Sequence, residues 1–185
     1  MSSTNLKFGS LANNGGSTAT FVPLPGSPAI DGVTFSSPNN APSNDQRSNN
    51  RPQGVRYDIG SYELDSKPPT VLSITRTEAN PTSAANVHFI VTFSKAVTCV
   101  DVDDFDKTVT GMITFLSVSG VIDGPATYTV TAKIGAGNGT LRLNVPIIAT
   151  INDMVGKPLA SLPYTGGVTY TITKGFAIFL PLILR

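Results

Sequence analysis

Histidine occurs once in this 185-residue chain, as His88, cysteine once, as Cys99, and tryptophan not at all. A single histidine excludes a His-based metal cluster and the His-Glu-x-x-His pattern, and leaves a Ser-His-Asp arrangement only if His88 itself serves. A single cysteine excludes an intrachain disulfide. Charge is sparse: 14% of residues are charged, against about a quarter in ordinary soluble domains. Thirteen Lys and Arg against twelve Asp and Glu give a net charge of +1. There is no basic field for nucleic acid and no acidic tail for cations or basic partners. The first ten residues are polar, with neither the basic start nor the apolar run of a signal peptide.

What is present favours strands and turns. The chain carries 17 Gly and 14 Pro, poor material for helices. From position 70 onward, apolar residues alternate with polar ones. Val87, Phe89, Val91 and Phe93 form one such set, and Tyr128, Val130, Ala132 and Ile134 another. Leu141, Leu143 and Val145, then Val168, Tyr170 and Ile172, repeat the pattern. Period two places one face of each run inward. Val71 to Ile74 and Ile113 to Val121 read as further strands, and Gly135-Ala136-Gly137-Asn138-Gly139 as a hairpin loop. About seven strands in roughly 105 residues predict an immunoglobulin-like β-sandwich.

Residues 1–66 differ. They are polar and rich in proline, and their apolar residues show no sustained helical period. Short strands are expected near Thr20–Pro23 and Asp58–Tyr62. Lys67-Pro68-Pro69 stiffens the boundary, because a double proline continues neither a ladder nor a helix.

Three resemblances add to this. The string NNGGSTATFVPLPGSPAIDG from Asn13, with NDQRSNNRPQGVRYDIGSYE ending at Glu63, resembles the C-terminal end of choice-of-anchor Q proteins, large exported bacterial surface proteins built on a parallel β-helix. The resemblance implies that residues 1–66 are an end-coil remnant of that β-helix. Such a coil buries its apolar face by stacking on the preceding one, so alone it is expected to pack poorly or to lean on the second domain. It also implies export and a missing start. The second resemblance runs from Pro69-Thr70-Val71-Leu72-Ser73-Ile74 through Asn80-Pro81-Thr82-Ser83, Val91 to Val97 and Asp104-Phe105. With Gly137 to Leu141 and the Asp153-x-x-Gly156-x-Pro158-Leu159 turn, it is similar to the Ig-like repeats of bacterial surface proteins, without the tryptophan and cysteine pair of antibody domains. The third lies in the tail, GFAIFLPLILR over residues 175–185. It resembles a [YF]-L-P-L-x-x-R ending of exported proteins in some filamentous bacteria, which implies a sorting or retention tag. The other reading is a last strand; Pro181 favours the tag because it removes a ladder donor. The apolar run is far shorter than the about 20 residues a membrane-spanning helix needs. The expected organisation is thus all-β: end-coil at 1–66, proline linker at 67–69, sandwich at 70–174, tail at 175–185.

Residue types that carry chemistry are few and scattered. His88 faces away from Val87 and Phe89 and reads as a surface histidine. Cys99 has no base or cation beside it and reads as a passive thiol. Asp101, Asp103 and Asp104 form the one acidic cluster; with Asn152 and Asp153 they suit calcium in chemistry but lack the EF-hand spacing, and the plain alternative is a solvated turn. Asp45, Asp58 and Glu63 raise the carboxylate pair of a glycoside hydrolase; the alternative pairs Arg47 and Arg51 with Asp45 and Asp58 to hold the coil. Asn138-Gly139-Thr140 fits the glycosylation acceptor pattern, yet Asn-Gly also suits the turn.

No catalytic, cofactor or metal residue is therefore assigned. The expected function is a non-catalytic structural or anchoring module at the end of a larger cell-surface or secreted protein. A carbohydrate- or protein-binding module is the first alternative, weakened because Tyr128 and Tyr170 fall on inward faces. A fragment of a polysaccharide-processing enzyme is the second. Cell-envelope or sorting machinery acting on the tail, or a surface glycan or protein, are the partners expected of a monomer.

Overall fold

The computed structural model describes residues 5–33, 41–114 and 116–175. Among them the chain is all-β, with nine strands and one short 3₁₀ turn at Val102–Asp104. It divides into two compact units, Met1–Pro68 with Met154–Lys157, and Pro69–Asp153 with Pro158–Arg185.

In the second unit the strands are β1 (Val71–Arg76), β2 (Asn86–Phe93), β3 (Val97–Thr98), β4 (Asp106–Gly111), β5 (Ser117–Asp123), β6 (Thr127–Lys133), β7 (Gly139–Asn144), β8 (Asn152–Asp153) and β9 (Thr169–Ile172). They form three open antiparallel sheets, ordered β1-β2-β6-β5, β4-β7-β9 and β3-β8. The alternation in β2 buries Val87, Phe89, Val91 and Phe93. In register, Phe89 lies opposite Val130 and Val87 opposite Ala132. Leu141 and Leu143 of β7 and Tyr170 and Ile172 of β9 join the same apolar cluster. Burying each such side chain contributes roughly 1.5–3 kcal/mol. The Phe89 and Tyr170 rings meet edge to face with centroids 5.1 Å apart, a favoured aromatic geometry. Phe93 and Tyr128 do the same at 5.8 Å.

Two sequence expectations need correction. The strand expected over Ile113 to Val121 is β5, but it begins only at Ser117 and runs on to Asp123, and a separate strand, β4, ends before it at Gly111. Gly111 turns the chain with φ +80°, where only glycine is unstrained. Gly135 to Gly139 is not a hairpin loop either. β6 pairs with β2 and β5, whereas β7 pairs with β4 and β9, so this segment carries the chain from one sheet to another. Residues 112–114 run antiparallel beside it, continuing the β4–β7 pairing, held by Met112 N–H to Asn138 O at 2.8 Å and Thr114 N–H to Ala136 O at 2.8 Å. This close approach, more than turn chemistry, accounts for the glycines: a Cβ at Gly137 would lie 1.8 Å from the Met112 carbonyl oxygen.

The first unit has little regular structure. Where a strand was expected near Thr20–Pro23 there are only the isolated bridges Phe8–Pro23 and Ala12–Thr20. Asp58–Tyr62 is a bend rather than a strand, with Gly60 at φ +120°. Ala29 and Pro23 are buried, but the interior is otherwise polar: Thr20, Ser27, Asp45, Asp58, Glu63 and Ser66. The tail at 176–185 lies outside the described residues, and with it the choice between tag and strand.

Candidate functional sites

Asp45, Asp58 and Glu63 are brought together, but as a framework. Asp45 opens a tight turn in which its Oδ1 accepts the N–H groups of Arg47 at 2.8 Å and Asn49 at 3.0 Å. This is the local bonding that makes Asp a turn residue. Its Oδ2 accepts the Arg47 guanidinium at 2.6 and 2.9 Å and the Glu63 N–H at 3.1 Å. Glu63 Oε1 accepts Gln53 N–H at 3.0 Å, and Oε2 accepts Arg51 Nε at 2.8 Å and Asp58 N–H at 3.0 Å. Asp58 accepts Asp31 N–H on one oxygen and Leu64 N–H on the other, both at 2.7 Å. The carboxylate partner of Arg51 is therefore Glu63, not Asp58; Arg51 reaches Asp58 only at its backbone carbonyl. Arg47 pairs with Asp45 as expected and lies over the Tyr62 ring, 3.4 Å from its centroid.

The environments push the carboxyls apart. Burial, the largest influence, raises Asp45, but the N–H of Glu63, the Arg47 side chain and the N–H groups of Asn49 and Arg47 together hold it below the usual range. Burial raises Asp58, and the N–H groups of Asp31 and Leu64 do not outweigh it beside the Glu63 and Asp31 carboxylates. Perturbed carboxyls often mark active sites, though structural networks perturb them too. Here every oxygen of Asp45, Asp58 and Glu63 accepts a donor from the chain itself, and the three residues are buried. A glycosidase pair flanks a cleft that admits the substrate; these carboxyls are wrapped by backbone.

A second titratable cluster escaped the sequence. Glu78, in the β1–β2 connection, accepts His88 N–H at 3.0 Å, and its other oxygen meets His88 Nδ1. The Tyr170 hydroxyl donates to Glu78 and accepts the N–H groups of Thr77 and Glu78 at 3.0 Å each. Burial, the largest single influence, raises the Glu78 carboxyl; His88 N–H, the Tyr170 hydroxyl, the His88 ring and Thr77 together outweigh it and hold it at about 2. Burial and then Glu78 push the Tyr170 hydroxyl up. His88 does face away from the core, yet it is half-buried and engaged rather than a bare surface residue. The available signal was Tyr170 itself, since a tyrosine at an inward strand position needs a partner for its hydroxyl.

The acidic cluster is a helix cap. Asp101 Oδ1 accepts Asp103 N–H at 2.9 Å, and Asp104 Oδ2 accepts Asp101 N–H at 3.0 Å, a reciprocal capping box. Asp104 is not a solvated residue: it is buried, and its Oδ1 takes Thr150 N–H at 2.6 Å. Asp153 pairs with Lys95 at 3.6 Å, and Asn152 donates to Thr150 O at 2.6 Å. Among the described residues, no three His, Cys, Asp or Glu side chains are grouped to hold a metal. Cys99 is exposed. Asn138 Oδ1 accepts Lys174 N–H at 2.6 Å. Tyr170 is fully buried, and Tyr128 is half-buried with its hydroxyl donating to Val97 O at 2.9 Å. No described helix is long and apolar enough to cross a membrane.

No family model matches the chain. No curated protein matches it. Among solved structures, the N-terminal part of the bacterial S-layer protein SbsC is similar over 60% of this chain and 25% of that one, with 20% identity and a TM-score of 0.38. The chain spans a quarter of that structure's length, and at this distance the likeness bears on neither fold nor function.

Proposed function

We propose that this chain is a non-catalytic structural module of a larger exported or cell-surface protein, made of a β-helix end-coil and an immunoglobulin-like sandwich. The observation that supports this most is the use of the acidic groups. Asp45, Asp58, Glu63, Glu78 and Asp104 each accept N–H or O–H donors of the chain, fixing turns and connections. Groups so used hold the backbone in place rather than meet a substrate. In this reading the first unit ends a solenoid, whose coils depend on neighbours for burial. Its exposed Leu11, Phe21, Leu24 and Ile59 fit that dependence. The C-terminal segment belongs to the same reading as a sorting or retention signal.

The test is surface proteolysis of intact cells that make the native protein, followed by immunodetection of this region. Removal by protease supports a surface module. Full protection in intact cells together with digestion after lysis places the protein inside and overturns the reading.

A further inference from the structure

An open sheet ends in two strands that each keep a row of unpaired backbone groups. The two larger sheets here end in β1, β5, β4 and β9, and three of these edges are covered or broken. β9 is covered by Thr82, whose N–H meets Thr171 O and whose carbonyl takes Thr173 N–H, both at 2.9 Å. β1 takes Val168 N–H on Ile74 O at 3.1 Å and shifts register between Val71 and Ser73. β5 shifts register between Val118 and Gly120, and such a bulge turns an edge away from pairing. β4 has neither device. Its register against β7 runs unbroken from Asp106 to Gly111, and all six of its side chains are exposed. Among the described residues, no backbone group reaches its outer side. Met112 N–H bonds Asn138 O in the same register, and an antiparallel strand alternates its bonds between its two sides. Asp106, Thr108 and Thr110 therefore turn their backbone groups toward β7, and Lys107 and Val109 turn theirs outward. Lys107 N–H is taken by Asp106 Oδ1 at 2.7 Å, which leaves Val109 N–H and C=O at the centre of the open edge.

We propose that this edge pairs with β4 of a second copy of the chain, antiparallel about a two-fold axis at Val109. The strand's own sequence selects that register. Val109 exchanges both backbone bonds with its counterpart, and Lys107 falls opposite Gly111, which has no side chain to obstruct it. Centring the axis on Lys107 would set two like charges directly opposite, which destabilises a pair; centring it on Gly111 would shorten the overlap. Thr108 meets Thr110 of the second copy, a favourable cross-strand pair, on the face where Thr110 already contacts Thr140 through their hydroxyls at 2.6 Å. The product is one continuous sheet, β9-β7-β4 joined to β4-β7-β9. One strand of six residues per copy makes a small interface, and small interfaces are transient. The monomer expected from the sequence is then the dilute form, and the dimer forms as concentration rises. This pairing goes beyond the structural role proposed above and does not depend on it.

Sedimentation velocity and amide hydrogen exchange on the full chain, dilute and concentrated, test this. The concentrated chain should sediment as a dimer. Its Val109 amide should exchange about tenfold more slowly than in dilute protein, while the Thr108 amide, turned toward β7, holds its rate. Val109→Pro removes the outward N–H, a change that an edge strand tolerates, and should abolish the dimer. Val109→Lys alters only an exposed side chain and sets two like charges opposite each other. It should weaken the dimer about tenfold at low salt and less at high salt, where charges are screened. A chain that stays monomeric when concentrated overturns the proposal. So does a folded Val109→Pro or Val109→Lys chain that dimerises like the parent, which would assign the dimer to another surface. A Val109 amide that is slow at every concentration would mean that the chain covers its own edge, and overturns it as well.

Discussion

In the first unit, backbone N–H groups and two arginines converge on the buried carboxylates of Asp45, Asp58 and Glu63. In the second, Phe89, Leu141, Leu143 and Tyr170 from two sheets share one apolar cluster. The difference is in how each tolerates change. Apolar packing is non-directional and grows with area, so many contacts share the load. A buried polar network depends on each partner, because a donor left unpaired away from water costs its desolvation. The first unit can thus hold a defined shape with almost no apolar interior, but through a few residues that cannot be exchanged.

The largest expected effect tests the apolar side. Phe89→Ala should lower the stability of the second unit by about 4 kcal/mol, the usual cost of emptying a buried aromatic site. Urea unfolding monitored in that unit reads this out, and a loss below about 1 kcal/mol would show that Phe89 is not central. On the polar side, Arg51→Met keeps bulk and removes the charge facing Glu63, whose side chain is fully buried. Breaking one partner of a buried pair costs about 3 kcal/mol. Hydrogen exchange should report the loss at the amides of Gln53, Asp58 and Leu64, with the β2 and β6 amides unchanged; equal loss in both would erase the distinction between the units.

A smaller effect is expected where the second unit itself uses a polar clasp. Tyr170→Phe leaves the Thr77 and Glu78 N–H groups and Glu78 without the hydroxyl, costing about 2 kcal/mol. The same clasp sets a pH dependence. Glu78 is held at about 2, below its ordinary 4.5. A depressed carboxyl contributes stability fully present above the ordinary value and lost as pH falls through the folded one. Melting temperature should therefore fall between about pH 4.5 and 2, and Glu78→Gln should flatten that fall; an identical slope in the variant would remove Glu78 as its cause. The smallest effect belongs to β4, whose side chains are all exposed. Val109→Ala should change stability by no more than about 0.5 kcal/mol, and a larger loss in thermal melts would mean that this edge is covered.

The strands that were legible were those with one buried face. β2, β6, β7 and β9 announce themselves because burial selects apolar residues at every second position. β4 reads Asp-Lys-Thr-Val-Thr-Gly and buries nothing, so no alternation marks it. The glycines at 135–139 signalled a change of direction but not its destination. A hairpin and a crossing between sheets ask the same conformational freedom of the backbone, and only the pairing of β6 with β2 and β7 with β9 separates them.

The candidate residues follow the same division. Residue types alone determined that no histidine cluster and no intrachain disulfide can form, and that Arg47 next to Asp45 invites a local pair. Which carboxylate Arg51 meets, that Asp104 is buried under Thr150, and that Tyr170 reaches Glu78 across 92 positions were decided by the tertiary structure. Local alternation and turn chemistry act within a few residues and are written in the order of the chain. Hydrogen bonds to buried carboxylates join segments far apart in sequence, and their partners are chosen only when packing brings one donor rather than another within about 3 Å.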